Sequence, residues 1–139
     1  MKHARSRARE AALKVLYQVD VLGEKLDAAS LEERLGRERL GAETRSYALR
    51  LAAGCVEHGE ELDRAIGAAL EHWELGRVAA IDRAILRLGV YELLFASEVP
   101  PKVTINEAIE LAKKYSTPKS GSFINGILDE VRRRYEGVA

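Results

Sequence analysis

Two groups of residues in this 139-residue chain are suited to holding phosphate. Near the N-terminus, Arg5 and Arg9 fall one helical turn apart with Arg7 beside them. Guanidinium groups offer a bidentate fork to phosphate oxygens that a lysine ammonium lacks. They precede the first apolar stripe, so they are expected to project from an exposed helix end. Toward the C-terminus, Thr117-Pro118 reads as a hydroxyl N-cap followed by proline at the first helical position, and Lys119, Ser120, Gly121 and Ser122 come next. That order gathers a cation, hydroxyls and free amides at the positive end of a helix dipole. Just before the turn, Tyr115 follows Lys113 and Lys114, a candidate platform for a stacked base. On residue types alone each group keeps a plain alternative: a solvated terminus, an ordinary helix start.

Catalysis finds little support. His3, His58 and His72 lack metal-ligand spacing, no glycine-rich phosphate loop is present, and no serine sits in a nucleophile elbow. No catalytic residue, metal ligand or cofactor site is expected. The single cysteine, Cys55, lies among Ala52, Ala53 and Val56 and reads as a small buried thiol in a reducing cytoplasm. The N-terminus is basic and polar, without the apolar core of a signal peptide, and no apolar run approaches the ~20 residues of a membrane span.

Charge is sorted along the chain. Residues 1–14 hold five cations against Glu10 alone, and residues 113–139 hold six against three anions. The formal total is zero, so the middle carries the balancing seven negative charges. If the fold joins the two ends, they form one cationic patch for a polyanion and leave an acidic face elsewhere.

Apolar residues recur at helical spacing throughout, which predicts an all-α domain. The first helix spans about 4–22, with Ala8, Ala12, Val15, Leu16 and Val19 inward and Gly23 as its stop. Short and longer helices follow near 28–35 and 42–58. A fourth carries Leu62, Ala65, Ile66, Ala69, Leu70 and Trp73, and a fifth, about 77–96, is apolar nearly all round and belongs in the middle of a bundle. Pro100 and Pro101 end it; Thr104 with Glu107 predicts a capping box for the sixth. The seventh opens in Lys119–Ser122. Residues 1–58 read as one helical half and 59–139 as the other of a single domain. Gly126 is expected to serve helix packing, Gly121 to admit a close backbone approach. Tyr17 and Val21 lie opposite Ala12 and Val19 on the first helix, a pair suited to anchoring a protein partner.

The motifs also resemble a known family. The run NEAIELAK from Asn106, followed by SGSFINGILD from Ser120, is similar to the C-terminal signature of the NusB family. Upstream, DRAILRLGVYEL from Asp82 resembles its central helix, and AREAALKVLYQ from Ala8 its first. The resemblance runs in register over about 5–134. It implies seven helices in two three-helix-type subdomains sharing a long central helix. It further implies a non-enzymatic factor that, with NusE, holds boxA-type single-stranded RNA on transcribing RNA polymerase with other Nus factors and suppresses termination, notably in ribosomal RNA operons. Arg5, Arg7 and Arg9 match the family's arginine-rich RNA-binding run. The loop set of Lys113, Tyr115, Lys119, Ser120 and Ser122 would complete the RNA surface, while Tyr17, Val21, Glu74 and Asp82 would receive NusE. Asp82 could equally cap its helix or pair with Arg83 or Arg87. Many relatives place an acid before the loop serine and a lysine at the position of Ser122, so here the cation has moved to Lys119. A NusB-like domain also occurs as the RNA-binding module of ribosomal RNA methyltransferases, the alternative reading. Monomer and homodimer are both compatible with the residues.

Overall fold

The computed structural model describes residues 2–71 and 74–136, and side chains from Ala4 onward. His72 and Trp73, the latter expected to end the fourth core stripe, lie outside the described residues, as does the side chain of His3. The described residues form α1 (Lys2–Leu22), α2 (Ala28–Gly36), α3 (Ala42–Glu57), α4 (Gly59–Ala69), α5 (Ala80–Phe95), α6 (Pro101–Tyr115) and α7 (Ser120–Tyr135), with no strand among them. The expectation of an all-α fold holds.

Local signals account for most boundaries. Gly23, with φ of +66°, ends α1 in the left-handed region that glycine enters at little cost. The Asp27 side chain accepts from the Ser30 amide and caps α2. Two boundaries differ from expectation, and a third falls where expected but without its cap. α5 begins at Ala80, not near 77, because Leu75–Arg77 makes a 3-10 turn whose flanking carbonyls, on Leu75 and Val78, accept from the Arg83 guanidinium at 3.4 and 3.0 Å. α6 begins at Pro101, so Thr104 lies inside it; Thr104 donates to Glu92 and Glu107 bonds Arg9, and no capping box forms. Proline at the first position has no N–H, and the Pro100 carbonyl takes the amides of Val103 and Thr104, so the helix starts without a side-chain cap. α7 begins at Ser120 with no side-chain cap.

Helix α5 sits at the centre and packs against α1, α3, α4, α6 and α7, while α1 and α2 pack on α3 and α6 packs on α7. Leu13, Leu31, Leu35, Leu51, Leu62, Ile66, Ile85, Leu86, Ile124 and Leu128 are fully buried around it. Each such side chain contributes about 1.5–3 kcal/mol on burial. Small residues set the close approaches. A Cβ at Gly54 of α3 would stand 2.2 Å from Tyr91 Cε1, and one at Gly89 of α5 would stand 2.9 Å from Leu128 Cδ1. Gly126 is different: it is exposed and a Cβ there meets nothing within 4 Å, so it packs against no helix. Cys55 is buried, as expected, and burial pushes its thiol pKa up, far from a nucleophile's range.

Candidate nucleic-acid interface

The three arginines of α1 have three different fates, set by the 100° step between helix positions. Arg7 is exposed and makes no ion pair among the described residues. Arg5 is half-buried, its guanidinium 4.3 Å from the Tyr47 ring centroid and 4.0 Å from a Glu98 carboxylate that Arg50 also holds. Arg9 turns inward and is only 4% exposed, contrary to the expected projection from a free end. Its Nε donates to Glu92 at 2.8 Å and its Nη1 to Glu107 at 2.9 Å. The second Glu92 oxygen accepts from Thr104 at 2.9 Å, and the Tyr47 hydroxyl donates to the carboxylate as well. Burial lowers the Arg9 pKa, but Glu92, Tyr47 and Glu107 together outweigh it and raise it above its ordinary value, so the guanidinium stays charged. Arg9 thus ties α1 to α5 and α6 and keeps Arg7 and Arg5 at a defined place instead of offering its own fork.

The turn between α6 and α7 is held from α5. Asp82, 8% exposed, accepts from Ser116 Oγ at 2.6 Å and from Ser120 Oγ at 3.0 Å. Ser120 lies 2.8 Å from the Ser116 hydroxyl and 2.9 Å from that of Thr117. Ser120 is therefore a buried member of this hydroxyl cluster and not the open phosphate ligand its place in the sequence suggested. Lys119 and Ser122 remain exposed, and Lys119 makes no ion pair among the described residues. Gly121 is half-buried, with Ile109 Cγ2 3.5 Å from where a Cβ would stand.

Of the two basic ends of the sequence, only the lysines closing α6 reach α1; Arg132, Arg133 and Arg134 pair with Asp129, Glu130 and Glu136 at the end of α7. Lys114 Nζ donates to Glu10 at 2.8 Å, and the Tyr115 hydroxyl donates to the same oxygen. The Tyr115 ring is half-buried, with Lys114 5.5 Å from its centroid. Lys113 is exposed and lies 3.8 Å from Glu110. So Arg7 stands on α1, Lys113, Lys114 and Tyr115 on α6, Lys119 in the turn and Ser122 on α7; side-chain bonds from Arg9 and Glu10 join α1 to α6, and α6 packs on α7.

The expected partner set divides. Tyr17 and Val21 are 37% and 54% exposed, and Leu22 beyond them more so. Glu74 is exposed ahead of the 3-10 turn. Asp82 does not join them at the surface, because both its oxygens are taken by the turn serines. Neither Arg83 nor Arg87 pairs with it: Arg83 reaches Asp20 at 2.8 Å and Arg87 reaches Asp63 at 2.7 Å.

Glu92, Tyr47, Arg50 and Glu10 were missed as site-building residues. Glu92 carried a readable signal, a carboxylate in an otherwise apolar stretch of α5, which burial obliges to find a cation. Its partner could not be read, being 83 residues away.

A family model described as the NusB family matches residues 6–133. The transcription antitermination protein NusB of Geobacter sulfurreducens is 49% identical over 129 residues, 92% of this chain and 93% of that protein. That of Geobacillus kaustophilus is 44% identical over 92% of this chain and 95% of its own length. Among solved structures, T. maritima NusB superposes with a TM-score of 0.83 at 40% identity, over 93% of this chain and 90% of that one. A crystal structure of the antitermination factors NusB and NusE in complex with dsRNA superposes at 0.86 and 33% identity, over 97% of this chain and all of that one. With sequence and helical architecture agreeing over nearly its whole length, the chain belongs to the NusB family.

Proposed function

We propose that this chain is an RNA-binding transcription antitermination factor that acts together with NusE. Its relatives bear that activity in their names, and a solved relative is a complex with NusE and RNA. The observation that supports this reading in the chain's own residues is the cationic seam: Arg7 of α1, Lys113 of α6 and Lys119 of the α6–α7 turn are exposed, and Lys114 and Tyr115 of α6 are bonded to Glu10 of α1. Phosphates along one strand would meet Arg7, Lys113 and Lys119 in turn, while a base stacks on Tyr115. Arg5 contributes from its perch on Tyr47. Arg9, Ser120 and Asp82 act behind this surface, holding α1 and the α6–α7 turn in place.

The finer parts of the reading are a boxA-type single strand as ligand, recruitment to RNA polymerase with other Nus factors in ribosomal RNA operons, and a cytoplasmic setting. No helix among the described residues is long and apolar enough to cross a membrane. NusE would dock on the exposed Tyr17–Val21 face of α1, with Glu74 nearby in the sequence of the second half. A homodimer on that apolar face is the competing occupant. The relatives compared are antitermination proteins and not methyltransferases, which supports the first reading over the methyltransferase-module alternative.

Titration of a boxA-type oligonucleotide at several salt concentrations, with and without NusE, tests the proposal. Neutralising about three phosphates of a single strand gives a slope of log affinity on log salt near −2. Lys119→Glu should weaken RNA binding without loss of stability, because an acid suits that helix end. A salt-independent affinity, or one untouched by Lys119→Glu, would remove this surface from the RNA site.

A further inference from the structure

We infer that Glu10, an anion at the centre of the cationic seam, is a positioning residue for the RNA-stacking surface: it holds the Tyr115 ring upright and Lys114 beside it. The inference rests on the RNA-binding reading and concerns how this chain's own side chains serve it.

A carboxylate in the middle of a phosphate-binding face is at first sight counterproductive, since it repels the ligand and neutralises a lysine. Its geometry explains why it is there. One oxygen of Glu10 accepts from both Lys114 Nζ and the Tyr115 hydroxyl, so two consecutive residues at the end of α6 are held by one residue of α1. The ends of helices fray, and Tyr115 is the last residue of α6 before the turn at 116–119. A phenol ring there, held only at its Cβ, would sample several rotamers. With its hydroxyl anchored across the seam and one face against the core, the ring has a single orientation and leaves part of its surface open. The rotamer entropy that a stacking base would otherwise have to remove is then already removed in the free protein.

The charge around the anchor is consistent with a permanently formed contact. Lys14, one turn along α1, faces the same carboxylate, and Glu38 from the α2–α3 connection faces Tyr115 and lies 3.5 Å from Lys14. Burial opposes ionisation of Glu10, but the hydrogen bonds from Lys114 and Tyr115 outweigh it and hold the carboxyl below its ordinary range. Burial and the same bond push the Tyr115 phenol up to about 12. Across the physiological range the donor keeps its proton and the acceptor its charge.

Two charge-matched variants separate positioning from simple electrostatics. Glu10→Gln and Glu10→Ala remove the same negative charge, but glutamine keeps an oxygen that can accept from Tyr115. If only charge matters, both bind RNA equally, and tighter than the parent. If Glu10 positions Tyr115, Glu10→Ala binds about three- to tenfold more weakly than Glu10→Gln, part of what a base–aromatic stack contributes. Tyr115→Phe, which keeps the ring and loses the anchor, should reproduce the deficit, and combining it with Glu10→Ala should add nothing further. Quenching or NMR ring-exchange measurements on the free proteins should show Tyr115 ordered in the parent and Glu10→Gln and mobile in Glu10→Ala. Equal affinities for the two Glu10 variants, in a protein whose parent binds RNA and whose Lys119→Glu variant does not, would overturn the role of Glu10 and leave the RNA reading standing. Failure of the parent itself to bind RNA would overturn the reading beneath it.

Discussion

Single residues in this chain are separated into roles by where the helix turns them. Arg7 and Arg9 are two positions apart, yet one faces water and the other is buried against Glu92 and Glu107. Replacing Arg9 by alanine leaves the Glu92 carboxylate buried beside only the Tyr47 and Thr104 hydroxyls, a change that typically costs about 3–5 kcal/mol. Arg9→Ala should therefore lower the midpoint of urea unfolding sharply, whereas Arg7→Ala should leave it unchanged and flatten the salt dependence of RNA binding by about 0.7. The expectation that all three arginines project from an exposed helix end fails at Arg9, so the stability cost is confined to that one. Glu98 shows the opposite, surface case. The Arg50 hydrogen bond holds its carboxyl down to about 2. A depressed carboxyl stabilises the fold above its unfolded pKa, near 4.3, and loses that contribution as pH falls toward 2. The difference in Tm between the parent and Glu98→Gln should thus be present at pH 6, shrink steeply between about pH 4 and 2, and be lost only below pH 2. It should be small, since both partners are solvated.

At the scale of elements, identical residues behave differently because of what packs on them. Gly54 and Gly126 both lie within helices. The Tyr91 ring occupies the space beside Gly54, so Gly54→Ala forces apart α3 and α5 and should cost about 1–3 kcal/mol or more. Gly126 faces open solvent on α7, where alanine is the better helix former, so Gly126→Ala should raise stability by about 0.5–1 kcal/mol. Thermal unfolding of the two variants checks both signs. The α6–α7 turn illustrates the same point. Neither Thr117 nor Lys119 caps α7 through its side chain, and the turn is instead held by Asp82 from the first turn of α5. An element's start can be fixed by a neighbour as firmly as by its own cap.

The whole molecule brings the lysines at the end of α6 to the basic first helix and leaves the Tyr17–Val21 face exposed. Tyr17 and Val21 are exposed, and Asp20 between them is occupied by Arg83. Tyr17→Asp should abolish or greatly weaken NusE binding in a pull-down or calorimetric titration. Burying an unpaired carboxylate against a partner costs several kcal/mol. RNA binding by the isolated chain and its melting temperature should change little, because Tyr17 lies outside both the seam and the core. Loss of RNA affinity in that variant would show that the two surfaces are not separate.

Periodicity and punctuation in the sequence alone determined the helical class, most helix limits, the buried leucines and alanines, and the burial of Cys55. They could do so because a 3.6-residue period and a glycine or proline stop are local facts that each segment carries by itself. The motifs from Ala8, Asp82, Asn106 and Ser120 likewise carried the family. Which polar residues point outward was decided only by the tertiary structure. Arg9 and Arg7 read alike until Glu92, 83 residues away, draws one of them inward. Thr104 and Glu107 formed a plausible cap until α1 and α5 supplied better partners, and Asp82 looked like a surface acid until the serines of a distant turn closed over it. A buried charge must find its counterpart wherever the chain brings one, and that search runs across helices, where no spacing rule in the sequence reaches.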